Sequence, residues 1–275
     1  MIGRASPDLA RAEACIAERG CPIGRPLHLI EETSSTNDEA KHAARQGAPH
    51  GSTWVAEAQT AGRGRQGRAW VSARGENLLV SVLWRQPCAT ARLPLLSVAT
   101  GVAVCEVARR VAGGADVRLK WPNDVVLVER ERRTGRVRLK KLAGVLVETT
   151  MRQGKVDAVV IGVGLNVHSR ELPDEIADHA TSLALLAAGP LDRAEILADL
   201  MVAIDRETTV VAARGLGLLR DRLTLWDALR GERVQSDLGA GVALGVDDDG
   251  RLVVQADDGG RMAWGAGEVH LARRG

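Results

Sequence analysis

Three arginines interleaved with glycine in the run Gly62-Arg63-Gly64-Arg65-Gln66-Gly67-Arg68-Ala69-Trp70 are the residues of this chain best suited to chemistry. Glycine lets a backbone approach a ligand closely and reach positive φ, and each guanidinium offers a planar fork of donors matched to phosphate or carboxylate oxygens. Such a loop is built to close on an anion. Four other segments carry groups that can work beside it: Glu32-Thr33-Ser34-Ser35-Thr36-Asn37, Lys120-Trp121-Pro122-Asn123-Asp124, Lys141-Leu142-Ala143-Gly144 and Gly162-Val163-Gly164-Leu165-Asn166. Each alone has an ordinary structural explanation: a helix N-cap, a packed turn, a solvated charge beside Lys140, or a glycine that makes room for a neighbouring backbone.

The elements that must hold these groups read as a mixed α/β domain, in which apolar strand-like runs alternate with helical stretches from Leu27 to about Trp226. Strands are expected at Thr53 to Ala56, Leu78 to Leu83, Asp124 to Val128, Ala143 to Glu148 and Val156 to Val163. A helix is expected from Asn37 to Gln46, opened by a capping box between Thr36 and Glu39. A second, from about Leu93 to Val111, turns Leu96, Ala99, Ala103, Val107 and Val111 inward, and a third follows Pro190 with Leu197, Leu200, Ile204 and Val211 on its inner face. The last fifty or so residues change character: turn clusters at Asp247 to Gly250 and Asp257 to Gly260 separate short alternating runs, the pattern of a small all-β barrel.

Bulk properties narrow the partners. The chain has 275 residues and a net charge of only +2, so the arginine loop is a local concentration of charge on a surface not built for bulk DNA. The leader before Leu27 is too short for a helix-turn-helix module. Arg4, Asp8, Arg11 and Glu13 interrupt any apolar signal region, and no apolar run reaches the roughly 18 residues of a membrane span, so a cytoplasmic protein is expected. Cys15, Cys21, Cys88 and Cys105 show no C-x-x-C spacing and the six histidines are scattered, which argues against zinc. Phe and Tyr are absent, so any aromatic platform must come from the six tryptophans, with Trp70, Trp84 and Trp121 as candidates and Trp226 and Trp264 assigned to core packing.

In order and spacing these segments resemble the bacterial biotin protein ligases, or biotin acetyl-CoA-carboxylase ligases, from Leu27 to Leu271, the specific marks being Gly62 to Trp70, Lys120 to Asp124, Lys141 to Glu148, Gly162 to Asn166 and Gly267-Glu268-Val269-His270-Leu271. The resemblance implies an α/β (α+β) fold: a mixed central sheet flanked by helices, as in class II aminoacyl-tRNA synthetases, over residues 27–226. A leader helix at 1–26 would precede it and a C-terminal SH3-like β-barrel at 227–275 would follow. The short leader is similar to that of the class without an N-terminal DNA-binding domain. The implied activity is formation of biotinoyl-5'-AMP from biotin and ATP with Mg2+, then transfer of biotin to a lysine of the biotin carboxyl carrier protein. No DNA or membrane partner is implied, and a homodimer is left open.

By match to the family motifs, Ser35, Thr36, Asn37 and Gln59 are expected to bind biotin together with Arg63, Gly64, Arg65, Lys141, Gly144, Gly162 and Gly164. Arg63, Arg65, Arg68, Trp70, Lys120, Asn123 and Asn166 are expected at the ATP, Asp124 at the metal or as base to the acceptor lysine, and Arg65, Lys141 and Asp124 in catalysis. The lid is also expected to retain the hydrolysis-prone adenylate. Two other functions compete. A lipoate-type ligase shares the chemistry but not the Gly-Arg-Gly-Arg and Lys-Trp-Pro-Asn-Asp runs. A noncatalytic single-stranded nucleic-acid-binding protein would use the arginines and tryptophans for phosphate contacts and stacking, and would release no pyrophosphate.

Overall fold

A computed structural model describes residue 6 and residues 8–272; the expectations that touch residues 1–5, 7 and 273–275, Arg4 of the leader among them, lie outside the described residues. In chain order the elements are α1 (Ala12–Glu18), β1 (Leu27–Thr33), α2 (Thr36–Arg45), β2 (Thr53–Gln59), β3 (Leu78–Trp84), α3 (Leu95–Val111), β4 (Val117–Lys120), β5 (Asp124–Arg130), β6 (Val137–Arg152), β7 (Lys155–Leu165), α4 (Asp174–Ala177), α5 (Arg193–Arg214) and α6 (Arg220–Trp226). The C-terminal strands are β8 (Arg233–Ser236), β9 (Gly239–Val246), β10 (Leu252–Gln255), β11 (Arg261–Trp264) and β12 (His270–Leu271).

Seven strands form one mixed sheet in the order β1-β2-β3-β7-β6-β5-β4, in which only β1 and β2 run parallel. Every residue of β3 is buried, because helices cover both faces of the sheet there. On one face Leu96, Ala99, Ala103 and Val107 of α3 and Leu197, Leu200, Ile204 and Val211 of α5 join the main core, as their spacing predicts. On the other, Ala40 and Ala44 of α2 pack on Trp54, Leu83 and Val160. The leader helix is part of the same body: Leu9, Ala12 and Ile16 enter the main core, and Arg19 reaches Asp199 and Glu195 of α5 at 2.8 and 2.7 Å.

Two local expectations are corrected and one strand is new. The Thr36–Glu39 capping box does not form: Ser35 is the N-cap residue, Glu39 accepts from the Thr33 hydroxyl at 2.6 Å, and the Thr36 hydroxyl donates to Gln59 at 3.1 Å. Gln59 of β2 and Thr33 at the end of β1 have replaced the capping partners. Strand β6 is far longer than Ala143 to Glu148, because it pairs with β5 as far as Val137, so Lys141 lies inside a strand. Strand β4 was not anticipated; with four residues it carries too short an alternation to read, although Val117 and Leu119 both enter the main core.

The C-terminal strands form a five-stranded antiparallel sheet in the order β11-β10-β9-β8-β12. Its apolar cluster contains Leu229, Val234, Ala243, Leu252, Val254, Trp264 and Val269, and also Trp121, which arrives from the turn between β4 and β5. The Trp121 indole N–H donates to the Gly250 carbonyl at 2.8 Å. Trp121 thus anchors the second sheet to the first while also lining the cavity described below, and Trp84 is sealed in the main core at 1% exposure, away from that cavity. Trp264 is a core residue as expected, and half-buried Trp226 packs on the main core beneath Arg109. Among the described residues no helix is long and apolar enough to cross a membrane.

Candidate active site

The site begins with strand register. Gly164 of β7 stands between Leu79 of β3 and Gly144 of β6, and Gly162 stands between Ser81 and Leu146. Residues two apart on a strand share a face, so Gly-x-Gly places both gaps on the same side of the sheet and opens a trough there. A Cβ at Gly162 would lie 2.3 Å from Asn37 Oδ1, one at Gly164 would lie 2.5 Å from the Trp70 indole, and one at Gly144 would lie 3.1 Å from it. In this state the three glycines therefore make room for Asn37 and Trp70.

The trough widens into a cavity of ≈ 160 Å³ whose two ends differ in chemistry. One end is polar but uncharged. Gln59 Oε1 accepts from the Thr36 amide at 2.8 Å, and the Ser81 hydroxyl lies 2.7 Å from Thr36 Oγ1 and 2.5 Å from Asn37 Oδ1. The Asn37 amide nitrogen donates to Glu148 at 2.7 Å. Ser35 makes no capping bond with its side chain, and Val80, Leu146 and Val163 supply apolar walls.

The other end is cationic. The arginine loop folds back on itself through Trp70 N–H to the Gly62 carbonyl at 2.8 Å and Gly64 N–H to the Arg68 carbonyl at 2.7 Å, and it turns at Gln66 and Gly67 with φ of 55° and 72°. Gly67 suits that left-handed position; Gln66 occupies it against the steric preference of an L side chain. Arg63 makes a two-pronged contact with Asp38 at 2.7 and 2.6 Å, and Arg68 pairs with Glu268 of the C-terminal unit. Arg65 has no carboxylate within ion-pair distance among the described residues; it donates to Asn123 Oδ1 at 3.3 Å, and burial lowers its affinity for the proton. Lys141 Nζ sits 2.8 Å from Asp124 and 5.4 Å above the Trp70 ring. Burial likewise pushes the Lys120 pKa down, with Asp124 and Glu268 pulling the other way. The Trp70 indole N–H is buried without a partner, a donor in need of an acceptor.

Ser35, Thr36, Asn37, Gln59, Arg63, Gly64, Arg65, Arg68 and Trp70 all line this one cavity, as do Lys120, Asn123, Asp124, Lys141, Gly144, Gly162 and Gly164. Asn166 does not: its side chain donates to the Thr181 carbonyl at 3.0 Å, behind the wall of the site. Among the described residues no three His, Cys, Asp or Glu side chains converge on a metal position, and Asp124 is engaged by Lys141. The two carboxylates that line the cavity, Asp124 and Glu268, are both paired with cations, Lys141 and Arg68, which would suit magnesium carried in by a triphosphate better than a resident metal. Sequence reasoning missed Glu268, Ser81 and Glu148 as site residues. Glu268 and Glu148 stood within segments already singled out, and Ser81 is two residues beyond Leu79 on the same strand face.

Gly162→Ala tests the trough. With Asn37 fixed by Ser81 and Glu148, the new methyl cannot be relieved by a rotamer change, and overpacking of this kind costs about 1–3 kcal/mol. We expect loss of that size in ligand affinity, about ten- to a hundredfold by calorimetric titration, with the fold retained.

Comparison with known proteins agrees with this geometry. Residues 29–166 match the biotin/lipoate A/B protein ligase family, and residues 237–271 match the biotin protein ligase C-terminal domain. The chain is 35% identical over 261 residues to the biotin--[acetyl-CoA-carboxylase] ligase of Mycobacterium tuberculosis, covering 90% of each chain. It is 30% identical over 254 residues to the bifunctional ligase/repressor BirA of Bacillus subtilis, covering 89% of this chain and 74% of that one. Among solved structures, the biotin protein ligase of Aquifex aeolicus in complex with biotin and ATP superposes with a TM-score of 0.74 at 28% identity, over 90% of this chain and all of the other. A chain with this trough, this arginine loop and these relatives belongs to the biotin/lipoate A/B protein ligase family.

Proposed function

We propose that the protein is a biotin protein ligase that joins biotin to ATP as biotinoyl-5'-AMP and passes the biotinoyl group to a lysine of the biotin carboxyl carrier protein of acetyl-CoA carboxylase. The observation that carries this reading is the two-ended cavity: an uncharged polar and apolar slot meets a cationic end at Lys141 and Trp70. The slot suits a ureido ring on an apolar body, with Ser35, Thr36, Asn37 and Gln59 as directional partners. A biotin carboxylate at the junction meets the Lys141 ammonium and the unpaired Trp70 N–H.

In the first half-reaction a carboxylate oxygen attacks the α-phosphorus and pyrophosphate leaves. Negative charges converge, so cations fixed in advance lower the barrier. Arg65 and Lys120, which have no carboxylate partner within ion-pair distance among the described residues, and Lys141 take that role. In the second half-reaction the acceptor amine attacks the acyl carbon, AMP leaves with the bonding electrons, and the amine proton must go to a base. Asp124, at the same junction, is the carboxylate positioned to receive it. Magnesium would arrive with the triphosphate, where Asp124 could hold it and it would offset phosphate charge. We further propose a division into leader 1–26, catalytic unit 27–226 and C-terminal unit 227–275, and a cytoplasmic site of action for an enzyme that needs ATP.

The test is pyrophosphate release with biotin, ATP and magnesium, followed by mass spectrometry of a carrier domain for a biotinoyl adduct. Lipoate in place of biotin is the control. Turnover with lipoate alone, or no adenylate with either acid, overturns the assignment.

A further inference from the structure

The three lid arginines are not equivalent. Arg68 is tied to Glu268 at one end of the loop, Arg63 to Asp38 at the other, and Arg65 between them meets no carboxylate among the described residues. The Arg63 end is also wired into the polar slot. Asp38 lies 3.0 Å from Lys41, Lys41 lies 2.8 Å from one oxygen of Glu148, and the other oxygen of Glu148 accepts from Asn37 at 2.7 Å. One unbroken set of contacts thus joins the lid to the residue that fills the gap at Gly162.

We propose that Arg63 is a strap anchor rather than a ligand contact, and that Asp38, braced by Lys41 and Glu148, is the positioning residue that holds the lid over the cavity and couples it to Asn37. Three features carry this. Both terminal nitrogens of Arg63 are engaged in a fork-to-fork contact, so moving the guanidinium onto a phosphate would break two charge-assisted bonds at once. Asp38 stands in the first turn of α2, where the helix dipole favours its negative charge and so its place as a fixed anchor point. Arg65, with no acid to leave, can meet phosphate without any exchange of partners. The division of labour follows: Arg63 and Arg68 fix the two ends of the strap, and Arg65 faces the reaction.

The Arg63 guanidinium, with Lys41 behind it, holds the Asp38 carboxyl down at about 2. A carboxyl with a depressed pKa contributes its full share above the ordinary value near ~3.9 and loses it as pH falls through the folded value. The anchor is therefore expected to stay closed across the whole working range of pH, and a carbon-detected NMR titration of Asp38 should show no inflection above pH 4.

The proposal rests on the ligase reading for only one of its two readouts. The first readout is limited tryptic cleavage of the resting full-length protein at Arg65, which needs no activity. Asp38→Ala and Arg63→Ala should each speed cleavage by about five- to tenfold, the scale of losing a partly exposed but networked ion pair. The double variant should be no worse than either single one, and Asp38→Glu should restore most of the protection. The second readout is release of the adenylate into solution, where the same three variants should leak by the same factor. If Asp38→Ala leaves cleavage and retention at the wild-type level, or tightens ATP binding by freeing Arg63, while Arg63→Ala alone is impaired, Arg63 is a ligand contact and the proposal fails. Failure of the wild-type protein to make adenylate would instead overturn the ligase reading and leave the cleavage result standing.

Discussion

Lys141→Ala is expected to lower the rate of pyrophosphate release by about 10²–10³-fold, the usual consequence of deleting one preorganised charge from a site where negative charge accumulates. Among the described residues Lys141 is the cation held at the junction of the two cavity ends between a carboxylate, Asp124 at 2.8 Å, and an aromatic face, Trp70 at 5.4 Å. Removing it also leaves Asp124 without its counter-ion, so the loss should fall on kcat and on biotin KM together. Lys141→Arg preserves charge but not shape, since a planar fork cannot follow the carboxylate oxygens as a compact ammonium does. We expect it to recover a minor part of the rate. Rates within threefold of wild type for Lys141→Ala would remove Lys141 from the chemistry.

Trp121→Ala should cost about 3–5 kcal/mol, the range for truncating a large buried aromatic. Trp121 is only 2% exposed, belongs by contact to the core of the C-terminal sheet, and comes from the turn between β4 and β5 that also carries Asn123. Its loss opens a void and releases the Gly250 carbonyl as well. Calorimetry should show a C-terminal transition at lower temperature. Because Glu268 holds Arg68 from that unit, the lid should loosen too, and adenylate should escape faster. Trp264→Ala empties the same core without touching the β4–β5 turn, so it separates the two effects. A single unshifted transition for Trp121→Ala would show that the second unit is held by other means.

Much of this molecule was legible in the order of its residues. The inner faces of α3 and α5 followed from a 3.6-residue period, because a helix buries whichever stripe is apolar and local spacing defines the stripe. Strand β3 could be read because a run buried on both faces is continuously apolar. The capping box could not. Thr36 and Glu39 had the right spacing for a local bond, but the pairing of β1 with β2 brings Gln59 to Thr36, and Glu39 is taken by Thr33, six residues back. The same applies to Asn166, whose motif pointed at the nucleotide and whose side chain is tied to the Thr181 carbonyl instead.

The types and spacing of residues determined that this chain carries a cationic glycine-arginine loop, and a sheet whose Gly-x-Gly strand leaves a gap beneath it, because conformational freedom, charge and strand period are properties of the residues themselves. Only the folded molecule decided how the charges are shared. Which arginine meets Asp38, which meets Glu268 and which is left without an acid depends on partners 25 and 200 residues away along the chain, brought within bonding distance by the register of the sheet and the docking of the C-terminal unit. Electrostatic pairing falls off over a few ångströms in space and is indifferent to distance in sequence.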